Sequence, residues 1–386
     1  MKPSLNARYT VTLPQFLKTM KSAIYILGVI VVFALATSGC SNGKTAEQAT
    51  IAHVGNDSLY RYPEEKHLRN IRQLTFGGDN AEGYWSFNSE YIVFQRRNTA
   101  EGLPCDQIYY GKVPTDNSRF EYKMLSTGTG RTTCSYFMPG NKSVIFASTH
   151  KTVDSCIADP DKSHGYLWGV YGSYEIYEAD LNGKIIRQLT DNTFYDAEAV
   201  VSPKGDKILF TSNRSGDLEL WTMNLDGSGL KQITDVLGYD GGAFFSPDGS
   251  QIIFRASRPK TEEEVAEYKS LLAKDFVKPT AMEIFVCNAD GSDLRQITQL
   301  GGANWAPFFH PSGNKIVFSS NHKTKRVPFN IYMVNLDGTG LEQITYDTIF
   351  DSFPMFSYDG KQLVFASNRN SGGTHDTNLF VADWIE

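Results

Sequence analysis

Between Asp196 and Thr234 four short apolar runs alternate with turn residues. Asp196-Ala-Glu-Ala-Val-Val201 runs into Ser202-Pro203-Lys204-Gly205, and Lys207-Ile-Leu-Phe210 runs into Asn213-Arg214. Glu219-Leu-Trp-Thr-Met-Asn224 precedes Asp226-Gly227, and Lys231-Gln-Ile-Thr234 ends the unit. Each run has the length and the β-branched or aromatic character of a strand. Gly205 and Gly227 fall where tight hairpins require positive backbone angles, which glycine adopts without a Cβ clash. The pattern predicts a four-stranded antiparallel meander, its strands called here first to fourth.

The pattern recurs. The fourth-strand signature appears as Gln188-Leu-Thr190, Gln232-Ile-Thr234, Gln296-Ile-Thr298 and Gln343-Ile-Thr345, at spacings of 44, 64 and 47 residues. The first hairpin returns as Ser246-Pro-Asp-Gly249, His310-Pro-Ser-Gly313 and Ser357-Tyr-Asp-Gly360. The second returns as Asn182-Gly183, Asp290-Gly291 and Asp337-Gly338. Weaker copies upstream carry Ile92-Val-Phe94 and Val144-Ile-Phe146, giving six units in all. One such sheet cannot bury both faces alone, whereas radial repetition buries them against neighbours. The last unit stops at its third strand, Asn378 to Trp384, and the missing fourth strand stands at the other end as Ile71-Arg-Gln-Leu-Thr75. The predicted fold is an all-β, six-bladed β-propeller over residues 68–386, its last blade closed by the N-terminal strand.

Composition narrows the function. The net charge is −6 and no basic block occurs, which argues against nucleic acid as a partner. Residues 1–40 read as a targeting segment, with Lys18 and Lys21 around Met20, which suits a signal-peptide start, followed by the apolar run Ala23 to Ala36. That run is short for a membrane span and suits a signal-peptide core. Thr37-Ser38-Gly39-Cys40 resembles the lipobox of bacterial lipoproteins, although Thr37 stands where those have Leu. Cys40 is therefore the expected lipidation site, and the lipid the only expected membrane contact. Residues 41–67 are polar and read as a tether.

In an exported protein one disulfide is expected among Cys105, Cys134 and Cys156, which fall on one rim; their pairing is not legible. That rim also carries the long loops between second and third strands, where binding groups on rigid scaffolds collect. In one of them Thr261-Glu-Glu-Glu264 is a capping box, and Val265, Tyr268 and Leu272 share a helix face. Aromatics of this rim, Tyr166, Trp168, Tyr171, Tyr195 and Tyr239, suit stacking on a sugar or gripping a peptide.

The Pro-Asp-Gly turns, Ser-Asn-Arg strand ends, Asp-Gly hairpins and closing Gln-Leu-Thr resemble the repeats of the TolB-type β-propeller family, over about residues 68–386. They also resemble the propeller of prolyl-oligopeptidase-like peptidases, but the chain has no Gly-x-Ser-x-Gly elbow. The resemblance implies a periplasmic, envelope-bound binding or scaffolding module, whose partner is an envelope protein, a peptide or a glycan. The tether is too short for the α/β domain that TolB carries before its propeller, so TolB's own role does not transfer. No cofactor is implied.

Aligned copies place Asn80, Thr132, Asp196, Asp240, Asn304 and Asp351 at the starts of the first strands, with Glu82 and Glu198 two residues on. Such carboxylates at a channel mouth could hold a divalent cation. The ends of the second strands carry Asn98, His150, Arg214, Arg258, His322 and Arg369, and Asp at the first position always accompanies Arg at the second. This matching favours ion pairs inside the blades over a metal site. His150, His322 and His375 lie on the rim but in different units, which disfavours a histidine-bound manganese centre like that of propeller-type polysaccharide lyases. A carbohydrate lyase or hydrolase with its site on the rim is the alternative function.

Overall fold

A computed structural model describes residues 56–386 apart from 117, 162 and 164; Met20, Cys40 and the expected signal peptide lie outside the described residues. The described chain forms six four-stranded antiparallel sheets arranged as propeller blades. Blade 3 shows the pattern, with strands Asp196–Val201, Lys207–Ser212, Glu219–Asn224 and Lys231–Gln232 in that order. In blade 6 the strands Asp351–Phe356, Gln362–Ser367 and Asn378–Trp384 are completed by Leu68–Gln73 from the other end of the chain. Closure begins three residues earlier than the sequence motif suggests, with Leu68 opposite Trp384.

Hydrogen bonds explain why the Gln-x-Thr signature recurs. The threonine hydroxyl accepts the backbone N–H that opens the third strand: Ile176 to Thr190, Leu220 to Thr234, Ile284 to Thr298, Ile331 to Thr345 and Leu379 to Thr75, each at 2.9 Å. In blade 1 Ser126 Oγ accepts the N–H of Ile108, in the middle of the longer third strand. The glutamine side chain donates to the same threonine's carbonyl, as in Gln232 to Thr234 at 2.7 Å. A buried strand edge is thus satisfied locally, by residues two apart.

Two stretches differ from the sequence reading: the end of the tether, and the first of the loops between second and third strands, expected to be long. Residues 56–67, read as part of the tether, pack onto blade 6, where Tyr60 is buried against Phe380 and Glu65 is fully buried. Between Asn98 and Asp106 there is only a single 3-10 turn, Thr99–Glu101, before the third strand starts at Leu103. The expected helix is present as Glu262–Leu272, with both halves of its capping box formed and Tyr268 buried.

Candidate functional site

Each first strand carries a bulge, and the repeat makes the bulges a ring. The register breaks within Ala81–Tyr84, Thr133–Ser135, Ala197–Val200, Gly241–Phe244, Trp305–Phe308 and Ser352–Met355. The residue inside each break has positive φ: Glu82 (53°), Cys134 (44°), Glu198 (58°), Gly242 (56°), Ala306 (47°) and Phe353 (55°). For the five with a Cβ this conformation costs about 1 kcal/mol each. The six line one neck of the channel. Beyond it, the rings of Tyr84, Phe244 and Phe308 fill the axis, with centroids 5.6 and 5.1 Å apart.

On the rim side the neck opens into a cavity of about 420 Å³. Its cover comes from two blades that are not adjacent. Trp168–Gly169, in the long loop of blade 2, forms a two-residue antiparallel ladder with Phe276–Val277, which follows the helix of blade 4. The indole of Trp168 lies 5.3 Å from that of Trp305, which donates its Nε1–H to the Pro279 carbonyl at 2.9 Å. Tyr166 lies 6.2 Å from Trp305, centroid to centroid, and completes an aromatic wall.

The opposite wall is ionic. Arg97 bridges Asp79 at 2.9 Å and Asp159 at 3.0 Å, and Arg131 bridges Asp106 at 3.3 Å and Asp159. Cys105 and Cys156 form a disulfide with Cα atoms 5.5 Å apart, tying the loop that holds Asp159 to blade 1. Cys134, the third cysteine of the expected set, is free and stands in the neck.

At the floor Glu198 is held from several sides. Its carboxylate accepts from the Tyr239 hydroxyl (2.7 Å), Thr211 Oγ1 (2.7 Å), the Gly242 N–H (2.8 Å) and Arg255 Nη2 (2.5 Å). The Arg255 guanidinium lies 4.8 Å from the Trp168 ring centre. Glu82, by contrast, has no cationic partner among the described residues, and the Tyr84 hydroxyl approaches it only to 3.5 Å. Burial raises the Glu82 carboxyl above its usual range, against the opposing Cys134 hydrogen bond and Arg255 charge.

Of the residues expected at the rim, Glu82 and Glu198 therefore meet in the cavity. The three aspartates do not join them; each is fully buried in its blade. Asp196 pairs with Arg214 at 2.6 Å, Asp240 with Arg258, and Asp351 with Arg369 at 3.0 Å. These arginines cover aromatic rings, as Arg214 does Phe210 at 5.3 Å and Arg369 does Phe365 at 4.9 Å. His150 and His322 take the same place in blades without the aspartate. Each bonds the serine two residues before it and packs on a tyrosine, Tyr177 at 4.3 Å and Tyr332 at 4.6 Å. His375 is exposed on a loop. No group of three or more potential metal-ligating side chains occurs among the described residues. Sequence reasoning missed Arg255, Gly242 and Cys134 in the neck; comparing these positions between repeats could have found them.

Comparison with known proteins gives a sequence match to the TolB beta propeller domain model over residues 169–275 and 269–375. No curated protein matches the chain. Among solved structures, a putative TolB from Agrobacterium tumefaciens is similar with TM-score 0.53 and 18% identity, over 80% of this chain and 91% of that one. TolB from Acinetobacter baumannii is similar with TM-score 0.52 and 17% identity, over 77% of this chain and 64% of that one. A gluconolactonase from Xanthomonas campestris reaches TM-score 0.52 at 14% identity, over 83% of this chain and 91% of that one. At these identities the likeness is one of fold.

Proposed function

The chain belongs to the TolB beta propeller domain family, and on that premise we propose that it is an extracytoplasmic, lipid-anchored binding module that takes its ligand at the hooded mouth of the channel. The observation that carries this reading is the cavity of about 420 Å³, walled by Tyr166, Trp168 and Trp305 and floored by Glu198 and Arg255. Its size is that of a small-ligand site, and its few polar groups converge beneath aromatic surface. The hood is built on rigid blades and fixed by its own ladder and by the Trp305–Pro279 hydrogen bond, so the site is largely preformed. The Cys105–Cys156 disulfide supports an oxidising compartment. Anchoring rests on Cys40 and the apolar run before it.

Trp168 and Trp305 give the site its own reporter. Titration of the full-length protein with peptides and oligosaccharides should find a ligand that changes tryptophan emission in wild type and binds at least tenfold more weakly to Trp168→Ala. A ligand held equally well by both proteins would place recognition elsewhere. Cys40→Ala should move the protein from the membrane fraction to the soluble one; unchanged partitioning would refute the lipid anchor.

A further inference from the structure

One blade departs from the repeat at the two positions that face the neck. The residue after the second-strand phenylalanine is Gln95, Ala147, Thr211, Ser319 or Ala366 in five blades, and Arg255 in the fourth. The bulge position opposite carries a side chain in five blades and is Gly242 in the fourth. The two changes fit each other: a Cβ on Gly242 would lie 2.2 Å from Arg255 Nη1. Arg255 occupies space that an ordinary residue at the bulge would take.

Arg255 is over nine-tenths buried, at 8% exposure, yet lines the cavity. Only one of its nitrogens is used. Nη2 donates to Glu198 at 2.5 Å and to the Tyr239 hydroxyl at 2.8 Å. Nε is buried without a partner, and both hydrogen bonds of the side chain leave from Nη2. The other two arginines of the wall, Arg97 and Arg131, each bridge two carboxylates. Partnerless guanidinium nitrogens also occur at Arg96 and Arg258, but those arginines do not line the cavity, as Arg255 does, and a donor there is costly unless a ligand or water meets it. Glu198 and Tyr239 instead hold Arg255 by one corner, with Trp168 across its face.

We propose that Arg255 is the recognition point for a single carboxylate on a ring-bearing small ligand, the ring lying against Trp168, Trp305 and Tyr166; the inference rests on the mouth being the binding site. With Nη2 committed to Glu198 and Tyr239 and Nε buried, Nη1 is the donor left for a ligand, and a charge-assisted bond to a carboxylate oxygen is the strongest it can make. The ligand carries one such group rather than many, because five carboxyl side chains line the cavity against three guanidiniums, and a polyanion would be repelled.

The test uses the full-length protein, calorimetry at neutral pH, and two acids with their neutral counterparts: indole-3-acetate with indole-3-acetamide, and glucuronate with glucose. The expected result is that at least one acid binds about tenfold or more tightly than its neutral counterpart, and that Arg255→Gln abolishes the difference. Arg255→Lys should retain part of it, since charge survives while the fork of donors is lost. Which acid binds tells whether the ring is aromatic or a sugar. The wild-type comparison of acid with neutral form stands even if the variants fold poorly. Equal binding of acid and neutral form, with both weakened by Trp168→Ala, would overturn carboxylate recognition while leaving the mouth as a binding site. No binding of either acid at millimolar concentration, or tighter binding of polyglutamate than of either, would also overturn it.

Discussion

Glu65 and Arg369, 304 residues apart in sequence, meet at 2.9 Å in a fully buried ion pair. Arg369 is already the partner of Asp351 in blade 6. It also donates to the Tyr60 carbonyl at 2.9 Å and to Ser367 Oγ at 3.0 Å. The N-terminal segment is thus fastened to the last blade twice, by the strand Leu68–Gln73 and by this carboxylate.

Removing that carboxylate leaves a buried guanidinium facing a single acid. Glu65→Ala is expected to cost about 3–5 kcal/mol, whereas Glu64→Ala, on the exposed neighbour, should change stability by less than about 0.5 kcal/mol. Denaturant unfolding of both variants checks this; equal effects would refute the clamp. A chain beginning at Gly77 loses both fastenings and exposes the third strand of blade 6, so it should melt well below the full chain.

The repeated Asp–Arg pairs should show direct coupling. Asp240 is completely buried and Arg258 largely so, so Asp240→Ala should cost about 3 kcal/mol. Adding Arg258→Ala should cost less than the sum of the single changes, with a coupling energy of about 1–3 kcal/mol. Divalent metal should leave the melting temperature of wild type unchanged. Additive single effects together with a metal-dependent shift would mean that the aspartates form a cation site.

Glu219 gives the fold a pH dependence of defined sign. Burial, reinforced by the Asp240 charge, raises its carboxyl from 4.5 to about 8. The folded state then holds a proton between these values that the unfolded state has released. Stability is fully present below the unfolded value and declines as pH rises through the window, by about 1.4 kcal/mol per pH unit for one group. The melting temperature should therefore fall from pH 5 to pH 8. Asp240, whose carboxyl burial raises to about 6, contributes to the same decline, so Glu219→Gln should reduce the slope without abolishing it; an unaltered slope would assign it to another group.

Reduction tests the disulfide's part in the mouth. Cys105 and Cys156 are 51 residues apart, and losing a crosslink of that span should cost about 2–4 kcal/mol. The loop that carries Asp159 and Trp168 should become the first site of limited proteolysis in Cys105→Ser. Cleavage of wild type and variant at the same rate would show that the ionic bridges of Arg97 and Arg131 hold the loop without it.

What the sequence determined by itself is what repeats within about forty residues. The strands follow from alternating apolar runs, the hairpins from Gly205 and Gly249 at positive φ, and the fourth strands from a threonine that satisfies a backbone donor close in sequence. Matched Asp and Arg positions revealed ion pairs because both partners sit in one blade, 18 residues apart. Ring closure was legible because the motif missing at one end stood at the other. What only the tertiary structure decided depends on contacts between different blades. Cys156 of blade 2 reaches Cys105 of blade 1 and leaves Cys134 free. The loops of blades 2 and 4 join above the channel and bring Trp168 to Trp305. Arg255 reaches Glu198 in the neighbouring blade, in the space that Gly242 vacates. Glu65 reads in sequence as part of a polar tether because a buried charge is written in the same letter as a solvated one; its partner, 304 residues on, decides which it is.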